Sequence, residues 1–218
     1  MNDASIPEPV IRRLSLYLRH VEQLAGREIE TVSSTQLGEA LHVTAAQVRK
    51  DLAYFGHFGR PGVGYRVGAL LAALRGVLGT DRTWNVVLVG VGNLGSALLR
   101  YKGFPRRGFR FVAAFDADPA KRGRRVGGVD VFAMDALPHV ADERGAELGL
   151  IAVPAEAAQE VADRLCAVGL RGILNFAPAT LTLPPNVPVD PVDLAAHLER
   201  IAFRAARAFD VDRSGPGC

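Results

Sequence analysis

The stretch from Asn85 to Tyr101 constrains the fold more than any other part of the chain. Asn85-Val86-Val87-Leu88-Val89 has the length and apolar content of a buried strand, and Gly90-Val91-Gly92-Asn93-Leu94-Gly95 follows at once. The spacing then predicts a helix over Ser96 to Tyr101. Three glycines at this spacing are weak evidence alone, but between a strand and a helix each has a task. Gly90 allows the tight turn, Gly92 lets the backbone come up to a pyrophosphate, and Gly95 lets the helix lie against the strand while its N-terminus faces the anion. A second strand, Phe109 to Phe115, ends at Asp116, where a carboxylate accepts the hydroxyls of an adenosine ribose and repels a 2'-phosphate. With Asp118 nearby this favours NAD over NADP. The basic run Lys121, Arg122, Arg124, Arg125 pulls the other way, unless it is a solvated loop.

Further strands are expected at Val129 to Phe132, Leu148 to Val153 and Gly172 to Phe176, which makes Val153-Pro154 and Asn175-Phe176-Ala177-Pro178 candidate walls on the nicotinamide side. A dehydrogenase needs a proton donor or acceptor beside the nicotinamide and a substrate domain. None of His20, His42, His57, His139 and His197 follows a strand end of this region, so no catalytic residue is expected. A last helix, Val192 to Phe209, carries Leu194, Leu198, Ile201, Phe203 and Ala205, more apolar surface than a free tail shows. It reads either as a helix packed on its own sheet or as a dimer arm.

The region before residue 80 has a different grammar. The first helix has Pro7 near its start and an apolar stripe of Val10, Ile11, Leu14, Leu18, Val21 and Leu24. Ser33 with Gln36, and Thr44 with Gln47, both fit a capping box, and a tight His42-Val43 turn between two short helices suggests helix-turn-helix. In the third helix Ala45, Val48, Leu52 and Phe55 face inward, whereas Ala46, Lys50, Ala53 and Tyr54, flanked by Gln47 and Arg49, face out. Small residues between long donors suit entry into a DNA groove. Asp51, toward the core, is expected to brace a basic neighbour. A Gly/Pro hairpin from His57 to Val67 follows, with Arg60 at its tip as a minor-groove probe. Leu70 to Thr83 reads as a linker helix that stops at Gly79.

In 218 residues the net charge is +3, so nucleic-acid binding rests on where charge sits and not on its total. Two cysteines without metal or redox spacing, no signal sequence and no membrane-length apolar run point to a soluble, cytoplasmic protein without metal. The fold class expected is α/β: a winged helix-turn-helix with its linker helix (1–80), a Rossmann-like parallel-sheet domain (81–190), and a C-terminal helix and tail (191–218).

Gln47-Val48-Arg49-Lys50-Asp51-Leu52 with Tyr54-Phe55-Gly56, the wing Gly62-Val63-Gly64-Tyr65, the GVGNLG turn and Asn175-Phe176-Ala177-Pro178 together resemble the Rex family of bacterial redox-sensing repressors, from Ile6 to Phe209. The resemblance implies a homodimer with C-terminal helices swapped between subunits, release of operator DNA by NADH, and competition by NAD+ at the same site. It also implies that Tyr101 and Asp193 pair in the NADH-bound state, that Arg19 is the partner of Asp193 in the DNA-binding state, and that Leu194 enters the other subunit's nicotinamide pocket, where some Rex proteins place Phe. Gly62 and Tyr65 join the expected DNA contacts on the same ground. Two other readings stay open: a small NAD-dependent oxidoreductase with a fused regulatory bundle, and a binding module for coenzyme A or another adenosine ligand.

Overall fold

The computed structural model describes residues 6–56, 59–60 and 63–213. The chain divides into two compact units, Met1–Thr83 and Trp84–Cys218.

In the first unit α1 (Glu8–Gly26) starts directly after Pro7, whose φ of -60° suits a helix start. It buries Val10, Leu14, Tyr17 and Val21. Ile11, expected in that stripe, is exposed instead. Tyr17, not expected there, is buried because its hydroxyl has a carboxylate partner. Helix α2 (Ser34–Leu41) opens with a complete capping box: the Ser33 hydroxyl accepts from the Gln36 N–H at 3.1 Å and the Gln36 amide oxygen accepts from the Ser33 N–H at 2.8 Å. Helix α3 (Ala45–Ala53) is capped on one side only. Thr44 Oγ1 accepts from the Gln47 N–H, but the Gln47 amide turns away to Asp51, so the second expected box is half made.

A small antiparallel sheet completes the wing: β1 (Thr31–Val32), β2 (Gly59–Arg60) and β3 (Gly64–Arg66), in the order β1-β3-β2. Two residues of β1 carry too little periodicity to read in advance. The hairpin residues His57, Phe58, Pro61 and Gly62 lie outside the described residues, as does the side chain of Arg60. The next helix, α4 (Val67–Val77), was expected as a linker. It buries Val67, Leu70 and Leu74 in the same core as α1 and is a wall of this unit.

The second unit is built on β4 (Trp84–Val89), α5 (Asn93–Arg100), β5 (Phe109–Phe115), β6 (Arg125–Val126), β7 (Val129–Phe132), α6 (Leu137–Glu143), β8 (Leu148–Ile151), α7 (Ala155–Ala167), β9 (Gly172–Asn175), β10 (Val189–Pro191) and α8 (Leu194–Arg213). Its seven strands run β10-β9-β8-β4-β5-β7-β6, parallel except for β6 against β7. Val87 and Val89 enter the core on one sheet face, Val86 and Leu88 the core on the other. That is why β4 reads as an unbroken apolar run. The chain reverses direction across the sheet between β4 and β8, and their carboxyl ends are tied by the Ala152 N–H to Val89 O bond of 2.8 Å. A crevice at such a reversal is where open parallel sheets take ligands. Cys166 sits half-buried in α7 against the apolar core, and burial pushes its thiol pKa up, as does Asp163.

Candidate nucleotide cleft and nucleic-acid interface

Besides the buried tyrosines, three polar side chains are buried among the described residues: Asp51 at 0%, Asp116 at 8% and Asn175 at 1% exposure. A buried polar group persists only when its hydrogen bonds are met. Each of the three sits beside a site that the sequence singles out.

Asp116 ends β5 and holds the Gly-rich turn. Its carboxylate accepts from the Val91 N–H at 2.7 Å, the Asp118 N–H at 2.8 Å and Lys121 Nζ at 3.0 Å. Burial pushes its pKa up, yet the bonds from Asp118, Lys121 and Val91 outweigh that and hold it below the ordinary carboxyl value. Three lone-pair positions are thus taken before any ribose arrives, so Asp116 organises the turn as much as it offers an acceptor. Val91, expected at the nucleotide, has a buried side chain and a committed N–H.

The turn itself is built around its glycines. Gly90 has φ of +98°, and a Cβ there would stand 2.4 Å from Ala152 O; a Cβ on Gly95 would stand 1.9 Å from Gly90 O. A Cβ on Gly92 would meet nothing within 4 Å. Gly92 caps α5, which begins at Asn93, three residues ahead of the expected start. Gly92, Asn93 and Leu94 are exposed, and the first N–H groups of α5 have no acceptor within the helix, so this start of α5 is the kind of place that receives an anion.

Asn175 ends β9 and shapes the neighbouring loop. Its Nδ2 donates to Ala177 O at 3.2 Å and Ala179 O at 2.9 Å, and its Oδ1 accepts from the Ala177 N–H at 2.9 Å. Its side chain is spent on the loop and does not wall the cavity as a free amide. The loop borders a cavity of about 600 Å³ whose lining includes Leu94, Phe176, Ala177, Thr180, Asp193 and Leu194. That volume suits a small ligand group. The structure thus brings Leu94, Asn175, Phe176, Ala177 and Leu194 together. Val153 packs against Gly90, and Pro154 is exposed at the start of α7. Thr180 and Leu181, in the irregular segment between β9 and β10, and Val189, the first residue of β10, line the same cavity unforeseen, because neither a loop nor a three-residue strand carries a period.

The expected switch residues are separately engaged. Asp193 caps α8, accepting from the Ala196 N–H at 2.9 Å, and its carbonyl lies 2.6 Å from His197 Nδ1. Tyr101 stands edge-on to Phe104 at 5.2 Å, is exposed, and is not bonded to Asp193. It lies just past α5 in extended backbone. Arg19 is exposed on α1. Helix α8 leaves its apolar side chains open: Leu194 is 62%, Leu198 67%, Ile201 61% and Phe203 58% exposed. Of the two readings of this helix, packing on its own sheet does not fit these exposures.

In the first unit the outward face of α3 is as expected: Ala46, Arg49, Lys50, Ala53 and Tyr54 are exposed. Arg49 Nη1 donates to Ser34 Oγ at 3.0 Å. Tyr65, expected to contact DNA, is only 7% exposed; its ring lies under Gly59 and joins the core, supporting the wing from behind. Beneath α3 the buried Asp51 accepts from Arg13 Nε at 2.6 Å, Arg13 Nη2 at 2.8 Å, the Tyr17 hydroxyl at 2.8 Å and Gln47 Nε2 at 2.7 Å. The basic neighbour Asp51 braces therefore comes from α1 and not from its own helix. Burial pushes its carboxyl up, but the bonds from Arg13, Tyr17 and Gln47 prevail and hold its pKa low.

Residues 5–53 match the family model described as a putative DNA-binding protein N-terminus, and residues 81–179 match the one described as a CoA binding domain. A redox-sensing transcriptional repressor Rex from Carboxydothermus hydrogenoformans is 50% identical over 207 residues, covering 95% of this chain and 100% of the relative. The chain belongs to the Rex family. Another Rex, from Streptomyces avermitilis, is 46% identical over 97% of this chain and 84% of its own length. The crystal structure of the Rex-family repressor RSP with beta-NAD+ and operator DNA is 34% identical, covers 97% of each chain and has a TM-score of 0.90. RSP with beta-NADH gives 0.87 at 32% identity, covering 98% of this chain and 100% of that one. Members of the Rex family are thus named as redox-sensing repressors and not as enzymes. Among the described residues of this one, no helix is long and apolar enough to cross a membrane and no side-chain group is set to hold a metal ion.

Proposed function

We propose that this chain is a cytoplasmic, homodimeric repressor that binds palindromic operator DNA when NADH is scarce and leaves it when NADH binds. What carries the reading is the pairing, in one chain, of an outward basic face on α3 with an α5 N-terminus that opens in front of Gly92. Relatives solved with operator DNA and beta-NAD+, and with beta-NADH, support it.

Ala46, Gln47, Arg49, Lys50 and Tyr54, with Arg60 and Gly62 of the wing, take the groove and its phosphates; Tyr65 backs the wing. Gln47 reads DNA only in the orientation its bond to Asp51 allows. Gly92, Asn93 and Leu94 receive the dinucleotide, held by Gly90, Val91, Gly95 and Asp116 from behind, with Val153, Pro154, Asn175, Phe176 and Ala177 toward the nicotinamide. In the dimer α8 crosses to the other subunit, Leu194 closes its nicotinamide pocket, and Asp193 exchanges between Tyr101 and Arg19. Such a pocket favours the neutral reduced ring over the cationic oxidised one, since burying an unpaired charge is costly. About 5.5 kcal/mol of differential binding carries a two-state switch from 1:99 to 99:1.

Anisotropy of a labelled palindromic duplex, read at fixed total nucleotide while the NADH to NAD+ ratio rises, is expected to show release driven by NADH; equal effects of both forms would overturn the reading. Coenzyme A, which the match of residues 81–179 brings into question, is expected not to displace NADH in an equilibrium competition. Lys50→Ala is expected to weaken DNA binding at least about tenfold, the loss of one good contact or about 1.4 kcal/mol. NADH affinity, measured by fluorescence, stays the same. Leu198→Glu with Ile201→Glu is expected to give monomers by sedimentation, because the exposed face of α8 then has two charges where a partner would pack.

A further inference from the structure

We propose that Arg106 and Arg107, with Lys102 and Arg110 beside them, form a second duplex-binding surface on the nucleotide-binding unit, one that takes phosphates flanking the operator half-site. The inference rests on the repressor reading above.

The chain carries a net charge of only +3, yet Arg100, Lys102, Arg106, Arg107 and Arg110 fall within eleven residues that hold no Asp or Glu. All five are exposed. Arg110 donates to Asn85 Oδ1 at 2.9 Å and Arg100 to Ser96 O at 3.4 Å, neutral acceptors that leave both charges uncancelled. No described acid pairs with Lys102, Arg106 or Arg107. An ordinary solvated run mixes signs; the run from Arg100 to Arg110 has a single sign.

The carrier is rigid. Pro105–Arg107 form a 3-10 turn closed by bonds from the Arg107 N–H to Phe104 O at 2.9 Å and from the Phe109 N–H to Phe104 O at 3.1 Å. The Phe104 ring is clamped edge-on by Tyr101 at 5.2 Å and Phe111 at 5.4 Å. Adjacent guanidiniums on a fixed turn lose little entropy on meeting phosphate, which Arg binds bidentately. The turn also lies away from the nucleotide cleft. Trp84, the residue after Thr83, donates from its N–H to Gly108 O at 2.7 Å and pairs with Phe109. The patch is therefore at the amino end of β4 and β5, whereas the Gly-rich turn is at the carboxyl end. A dinucleotide seated at Gly92 does not account for it. A polyanion does, and the polyanion this chain binds is duplex DNA.

The test uses full-length protein and a palindromic duplex selected with that protein from a random pool, prepared as its core alone and with about one helical turn, 10 bp, added on each side. Affinities are read between 50 and 200 mM salt, the range in which counterion release is strong. The expected result is that added flanks tighten binding and steepen the salt dependence. Arg106→Gln with Arg107→Gln is expected to lower the log-log slope on the long duplex by about 3 to 4 for a dimer, at about 0.9 per phosphate. It leaves the core duplex and NADH binding unchanged. Equal slopes for variant and unsubstituted protein on the long duplex, with core binding intact, would overturn this surface and spare the repressor reading. Failure of the unsubstituted protein to bind either duplex would sink both.

Discussion

Asp51→Ala is expected to destabilise the DNA-binding unit by about 3 to 5 kcal/mol, the cost of removing one partner from a buried ion pair. Asp51 is fully buried and is the common acceptor for Arg13, Tyr17 and Gln47. Without it a guanidinium loses its counter-charge, a buried phenol its acceptor and the Gln47 amide its orientation. The penalty falls toward the lower figure to the degree that Arg13, which is partly exposed, rehydrates. Chemical denaturation read at the unit's own transition gives the size; loss of operator binding accompanies it because α3 is no longer pinned to α1. Asp51→Asn keeps the shape and discards the charge, so pH separates the two roles. The folded pKa of Asp51 lies below its unfolded value of about 3.9. Its contribution is therefore complete above that value and is lost as pH falls through the folded one. The stability gap between the unsubstituted protein and Asp51→Asn is expected to be widest near neutrality, to begin to narrow below about pH 4 and to close only below the folded pKa; a constant gap would show that packing, not charge, is at work.

Gly95→Ala and Gly92→Ala are expected to part company. A methyl on Gly95 would enter the Gly90 carbonyl oxygen at 1.9 Å, so α5 must lift off the strand. That costs about 3 kcal/mol, the upper range for overpacking, and lowers NADH affinity at least about tenfold as the converging N–H groups disperse. At Gly92 a methyl meets nothing within 4 Å and φ is -78°, so thermal stability should hold within about 0.5 kcal/mol. NADH binding should fall all the same, because the methyl stands where a pyrophosphate would approach. Calorimetric titration of the two variants with NADH decides it. Unchanged affinity in Gly92→Ala would remove the dinucleotide from this turn.

What could be read in the sequence was what depends on short-range pattern. The strand-turn-helix around Gly90, the Ser33 capping box and the outward face of α3 each follow from neighbours within a few residues, and each stands in the structure. The misses are of another kind. Tyr17 reads as a half-polar residue until Asp51, 34 positions away, gives its hydroxyl a partner. Asp116 reads as a free ribose acceptor until Val91 and Lys121 occupy it, and Tyr65 reads as a contact until Gly59 covers it. Helix α4 has an apolar stripe that fits a linker as well as a core wall; only packing against α1 tells them apart. Pairing across the fold, not local pattern, decided these positions. The same holds for α8, whose apolar side chains the chain leaves exposed.

Linkage gives the account its most direct test. If one cavity distinguishes the uncharged ring from the charged one and passes that choice to the DNA-binding face, then DNA must act back on the cavity by the same factor. NADH and NAD+ affinities are to be measured by titration calorimetry on the full-length protein, free and saturated with operator duplex. The account predicts that duplex weakens NADH by the same factor by which NADH weakens duplex, while NAD+ is unchanged or tightened. Identical shifts for the two redox forms, or none for either, would contradict it.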